Sequence, residues 1–106
     1  MTSPTIDPVL TRFRTSLYAT YGRRVERAIL FGSRARGDAQ PDSDYDVAVF
    51  LREYGRLWAE LQPLARLTTD ILLDTGIVIS ALPFPATDYR KHSLLMGEIR
   101  REGIEI

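Results

Sequence analysis

Leu30-Phe31-Gly32-Ser33-Arg34-Ala35-Arg36-Gly37-Asp38, continuing through Ala39-Gln40-Pro41-Asp42 to Ser43-Asp44-Tyr45-Asp46-Val47-Ala48-Val49-Phe50, organises the chain. It reads as a strand, a tight Gly-Ser turn, a short polar helix or loop, and a second strand that opens on two acids. The apolar run Ala28 to Phe31 stops at Gly32, and a second run, Val47 to Leu51, follows Asp46 directly. Successive side chains of a strand point to opposite faces, so Asp44 and Asp46 share one face and Tyr45 takes the other. At ~3.3 Å per residue their Cα atoms lie roughly 6–7 Å apart, close enough for two carboxylates to converge on one or two divalent ions.

The residue types fit one chemistry. Mg²⁺ prefers hard oxygen ligands and is usually held by one or two carboxylates together with substrate phosphates. A Gly-Ser turn ahead of a helix start offers backbone N–H groups and a hydroxyl to such phosphates. Gly32 lets the backbone come close, and Ser33 adds a donor. A phosphate cradle and a metal clamp on neighbouring strands are what transfer from a nucleoside triphosphate needs.

Gly32-Ser33, ten residues, then Asp44-Tyr45-Asp46 resembles the signature of the DNA polymerase beta nucleotidyltransferase superfamily. More narrowly, Gly-Ser-Arg-Ala-Arg-Gly followed by Ser-Asp-Tyr-Asp-Val is similar to the minimal nucleotidyltransferases, small prokaryotic proteins paired with HEPN-domain toxins. The resemblance covers nearly the whole chain and implies the nucleotidyltransferase core fold. It implies that Gly32 and Ser33 hold the β- and γ-phosphates and that Asp44 and Asp46 ligate Mg²⁺, with ATP or another NTP as substrate. It also implies a protein acceptor, typically a tyrosine of a HEPN toxin, which nucleotidylation would inactivate.

The superfamily completes its two-metal site with a third carboxylate on a later strand. Here the matching strand, Gly76 to Leu82, contains no acid, and Ser80 or Val78 stands about where that carboxylate would project. Asp70 and Asp74 are near in sequence but belong by pattern to the preceding helix; Asp74 is the better substitute of the two. A missing general base typically costs about 10²–10⁴-fold in rate. Two readings follow. In the first, the chain is a Mg²⁺-dependent enzyme moving AMP or another NMP to a hydroxyl of its partner. In the second, it is a degenerate nucleotidyltransferase fold that neutralises the partner by covering it.

Composition sets outer bounds. At 106 residues, 44% apolar and 26% charged, the chain reads as one globular domain spanning 1–106. Fourteen acids balance fourteen bases, so no strongly basic face argues for a nucleic-acid partner. The absence of cysteine removes disulfides and thiolate metal sites and fits a reducing compartment. No signal-peptide pattern and no membrane-length apolar run occur, so a cytoplasmic location is expected, with no membrane partner. Self-association is left open.

Taken in order, residues 1–6 read as a loose tail. Asp7 then reads as an N-cap with Pro8 at the first helical position. Leu10, Phe13, Leu17 and Tyr21 recur at helical spacing until Gly22, with Arg12, Arg14, Arg23 and Arg24 on the solvated side. Val25 to Phe31 and Asp44 to Leu51 are the first two strands. Arg34 and Arg36 between them are either surface charges or guanidinium contacts to triphosphate oxygens or to a partner's acidic groups. After Glu53-Tyr54-Gly55, a helical face of Leu57, Leu61, Leu64, Thr68, Ile71 and Leu72 is interrupted at Pro63, which predicts a kink or two shorter helices. Trp58 is expected at the helix–sheet boundary, with a base-stacking platform as the other reading. Ile77 to Leu82 is the third strand, closed by Pro83 and Pro85. A polar connection containing His92, a surface or cap residue, leads to a helix over 93–102, and Ile104 and Ile106 form a terminal strand or docked tail. The expected class is α/β (α+β), a small mixed sheet with helices packed on one face.

Overall fold

The computed structural model describes residues 7–106; the expected tail, 1–6, lies outside the described residues. Helix α1 (Pro8–Tyr21) starts at Asp7, whose Oδ1 accepts from the amides of Val9 and Leu10, and buries Leu10, Phe13, Leu17 and Tyr21. Those are the four positions that the 3.6-residue period selects. Strand β1 (Val25–Phe31), the short helix α2 (Ser33–Arg36) and strand β2 (Tyr45–Leu51) follow. Helix α3 (Leu57–Thr75), strand β3 (Ile79–Pro85), helix α4 (Leu94–Glu102) and the two-residue β4 (Ile104–Glu105) complete the chain.

The sheet order is β3-β2-β1-β4. β1 runs antiparallel to β2 and β4, whereas β2 and β3 are parallel, joined by the α3 crossover. Val47 to Leu51 of β2 are buried throughout, as a central strand covered on both faces requires. One face carries Ala28, Leu30, Tyr45, Val47, Val49 and Leu51 under the long helices α1 and α3. The opposite face carries Ile29, Ala48 and Phe50, packed against Met96 and Ile99 of α4. Phe50 also stacks on Phe84 at 5.5 Å and meets Tyr89 edge-on at 5.3 Å. The mixed sheet is thus as expected and its main helical layer lies on one face; α4 adds cover on part of the other.

Several local expectations are corrected. Pro63 does not divide α3, which runs unbroken for 19 residues. Its missing N–H falls early in the helix, and the burial of Leu64, Leu67 and Ile71 outweighs one lost hydrogen bond. The buried face of α3 is Glu60, Leu64, Leu67 and Ile71, while Leu57 and Leu72 are exposed. Trp58 is 70% exposed rather than packed at the sheet, because the chain enters α3 with that face turned outward.

Arg24 is not a solvated charge. It pairs with Glu60, whose carboxylate also accepts from the Gly55 amide at 3.1 Å, and Tyr21 donates its hydroxyl to the Glu60 carbonyl at 2.6 Å. β3 does not stop before its prolines: Pro83 lies opposite Val49 and Pro85 opposite Leu51. Residues two apart direct their backbone nitrogens to the same side, so both prolines turn their missing donors to the open edge and blunt it.

Candidate active site

β1 ends at Phe31 and the chain turns through Gly32 with φ +75°. The Gly32 carbonyl accepts from Ala35 and Arg36, each at 3.1 Å, and the Ser33 carbonyl from Gly37 at 3.0 Å and Asp38 at 3.1 Å. The amides of Ser33 and Arg34 come before the first intrahelical donor and face outward from the turn.

The following loop returns the chain to the sheet and is fastened by Arg34. Its Nε and Nη2 donate to the Ser43 carbonyl at 3.2 and 2.9 Å, Nη2 also to the Pro41 carbonyl at 3.2 Å, and its guanidinium lies 4.2 Å over the Tyr45 ring. The Tyr45 hydroxyl in turn donates to Asp7 Oδ2 at 2.9 Å. One line of contacts therefore runs from the α1 cap through Tyr45 and Arg34 to the loop that delivers Asp44.

Asp46 lies opposite Phe31 on one side and Ser80 on the other. Its Oδ2 occupies the space beside Gly32: a Cβ there would sit 2.5 Å away. Asp44, exposed at the start of the strand, accepts a long hydrogen bond of 3.4 Å from Ser80 Oγ. Tyr45 faces the α1 layer, so the two acids share the other face, as the sequence predicts, and that face is the one α4 partly covers.

Burial raises the Asp46 pKa first, and the neighbouring charge of Asp44 raises it further. Arg36 opposes this rise and Glu98 adds to it. Arg36 is itself held among acids, with Nε 3.2 Å from Asp38 and Nη1 3.2 Å from Glu102 and 3.9 Å from Glu98.

The structure therefore gathers Gly32, Ser33, Asp44 and Asp46, with Arg36 in electrostatic reach of Asp46. Arg34 is not brought to the carboxylates; its guanidinium works on the Tyr45 side. Asp74 is not either, being an exposed end of α3 paired with Arg12, and Asp70 lines a groove between α1 and α3. Among the described residues no three His, Cys, Asp or Glu side chains are placed to hold a metal together. A cavity of about 510 Å³ lies on the other side of α2, lined in part by Asp7, Leu30, Arg34 and Tyr45. Asp44 and Asp46 are not among its lining; Asp44 is exposed and Asp46 half-buried on the α4 face.

Residues 16–106 match the family described as Polymerase beta, Nucleotidyltransferase. The chain belongs to this nucleotidyltransferase family. It is 28% identical over 101 residues to the candidate protein adenylyltransferase MJ0141 of Methanocaldococcus jannaschii, covering 95% of this chain and 98% of that one. It is 33% identical over 76 residues to a second candidate from that organism, MJ0604, covering 72% and 70%.

Two solved structures share the fold. A toxin–antitoxin complex with AMP-PNP superposes with TM-score 0.62 at 16% identity, covering 88% of this chain and 68% of that one. A candidate nucleotidyltransferase from Sulfolobus solfataricus superposes with TM-score 0.60 at 14% identity, covering 99% and 87%.

The candidate site has supports that the sequence reading missed. The Asp7–Tyr45 bond joins residues 38 apart, and the Glu102–Arg36 pair joins residues 66 apart. Only the i, i+4 spacing of Glu98 and Glu102, which places two acids on one helical face, was visible locally.

Proposed function

We propose that the chain transfers a nucleotidyl group, AMP from ATP, to a hydroxyl of a protein partner in a Mg²⁺-dependent reaction, and that this partner is a HEPN-type toxin. The observation that supports the reading is the nesting of Asp46 against Gly32, which brings the Gly32-Ser33 turn and the acid pair together. The M. jannaschii relatives named as candidate protein adenylyltransferases support adenylyl as the group and protein as the acceptor. The shared fold with a toxin–antitoxin complex supports a toxin as that protein. Such a pair would work in the cytoplasm.

The residues fit a divalent cation: two hard-oxygen donors share one face, and their mutual repulsion is relieved by a bound positive charge. Asp44 and Asp46 would hold Mg²⁺, which when bound supplies charge neutralisation to the triphosphate. Ser33 and the backbone at Gly32 orient the phosphates, and Arg36, released from its acids, adds a guanidinium to them. The acceptor oxygen attacks the α-phosphorus and the bond to the β-phosphate bridge oxygen breaks. Pyrophosphate leaves with the electron pair, and the hydroxyl proton passes to solvent. Because Asp44 is exposed at the start of its strand, the partner's own surface completes the acceptor side.

The absence of an acid on β3 favours a second reading, neutralisation by binding alone. Incubating the partner with this protein, Mg²⁺ and each NTP separates the two. A nucleotidyl mass gain supports transfer, whereas tight binding with no gain supports the mask.

A further inference from the structure

We propose that this site takes a single divalent cation, and that Ser80 occupies the ligand position a second would require. The inference rests on the nucleotidyl-transfer reading of Asp44 and Asp46 and concerns how many ions that pair can serve. β3 is parallel to β2 with Ser80 directly opposite Asp46, and its hydroxyl reaches Asp44 Oδ2 at 3.4 Å. No other β3 side chain is so placed: Ile79 and Ala81 belong to the opposite face, and Leu82 lies one step further along, opposite Ala48.

Among the described residues no other acid substitutes. Asp74 pairs with Arg12 at the far end of α3, Asp70 faces the α1–α3 groove, and Glu98, though in electrostatic reach of Asp46, is not placed with the two aspartates to hold an ion. A pair of divalent ions about 3.5–4 Å apart carries four positive charges; triphosphate oxygens offset part of them, but the protein brings only two carboxylates to anchor the pair. A neutral hydroxyl adds an oxygen but no charge. Asp44 and Asp46 would then hold a single ion together with the triphosphate, and Ser80 acts as a positioning residue that fixes the Asp44 carboxylate.

Manganese resonance spectroscopy reads the count directly. The protein is titrated with Mn²⁺ in the presence of a non-hydrolysable ATP analogue, correcting for Mn²⁺ bound to free analogue. Wild type is expected to hold one magnetically isolated ion per chain. Ser80→Asp, at an exposed position, is expected to hold two ions with the spin coupling of a close pair. Ser80→Ala should keep the count at one and weaken Mn²⁺ affinity by about 10-fold, as loss of an outer-sphere contact does.

A coupled pair already present in wild type would overturn the single-ion proposal and leave the transferase reading intact. A count that stays at one in a folded Ser80→Asp protein would also overturn it. No protein-bound ion in wild type would overturn both the proposal and the reading beneath it.

Discussion

The Oδ2 of Asp46 fills the volume that any side chain on Gly32 would need, since a Cβ there would lie 2.5 Å from it. Gly32 is thus required twice, by its positive φ and by the acid in front of it. Gly32→Ala should cost about 1–3 kcal/mol in folding free energy through the strained backbone. It should also lower nucleotidyl transfer by about 10²-fold, the scale expected for an ångström-level displacement at a reacting centre. Denaturant melts and single-turnover rates check the two effects separately.

Asp46 makes the opposite exchange. Its folded pKa is raised, by burial first and by Asp44 second, so the folded state binds the proton more tightly than the unfolded chain. Stability therefore falls as pH rises from the ordinary aspartate value, about 3.9, through the raised folded value. Asp46→Asn should melt about 1–5 °C higher than wild type at neutral pH without metal, while abolishing transfer. The thermal advantage should vanish below about pH 4, where the wild-type acid is protonated. Melting curves across pH test the sign.

Glu60 behaves in the reverse sense. Burial pushes its pKa up, but the hydrogen bond from Arg24 and the Gly55 amide win, and the folded value lies below the usual one. Its contribution to stability is present above the ordinary glutamate pKa of about 4.3 and is lost as pH falls through the lowered folded value. Glu60→Gln should cost about 1–3 kcal/mol at neutral pH, because Arg24 then loses its charge partner. The penalty should shrink on acidification, which urea titrations at several pH values would show.

Tyr45→Phe removes only the hydroxyl that reaches Asp7. The Asp7 cap retains its two amide contacts, so the loss should be about 0.5–1.5 kcal/mol. Transfer should be nearly unchanged, since Tyr45 lies on the face away from the acids. Arg34→Ala, by contrast, should free residues 41–43 and raise their amide exchange. Trp58→Ala should stay within about 0.5 kcal/mol of wild type, as its exposed indole implies.

What was legible in the sequence was what local spacing encodes. The 3.6-residue recurrence of Leu10, Phe13, Leu17 and Tyr21 gave α1, and the Asp44-Tyr45-Asp46 alternation placed two acids on one face. Counting along the third strand left Ser80 or Val78 beside the acids, and the register that sets Ser80 opposite Asp46 came from the structure. The misreadings arose where distant contacts decide. Pro63 is tolerated because tertiary burial holds the residues after it, and β3 runs through its prolines because it lies on an edge. The burial of Glu60 has no local signal in the sequence; Arg24, from a different element, supplies the charge partner that permits it. Likewise, nothing near Arg34 in sequence tells that its guanidinium turns to Ser43 and Tyr45, away from the carboxylates.

The most direct test is intact-mass analysis of a partner toxin incubated with this protein, Mg²⁺ and ATP, alongside the Asp44→Ala, Asp46→Ala double variant. The account predicts one or more added adenylyl groups with wild type and none with the double variant. An unmodified partner, bound equally tightly by both proteins in calorimetry, would contradict it.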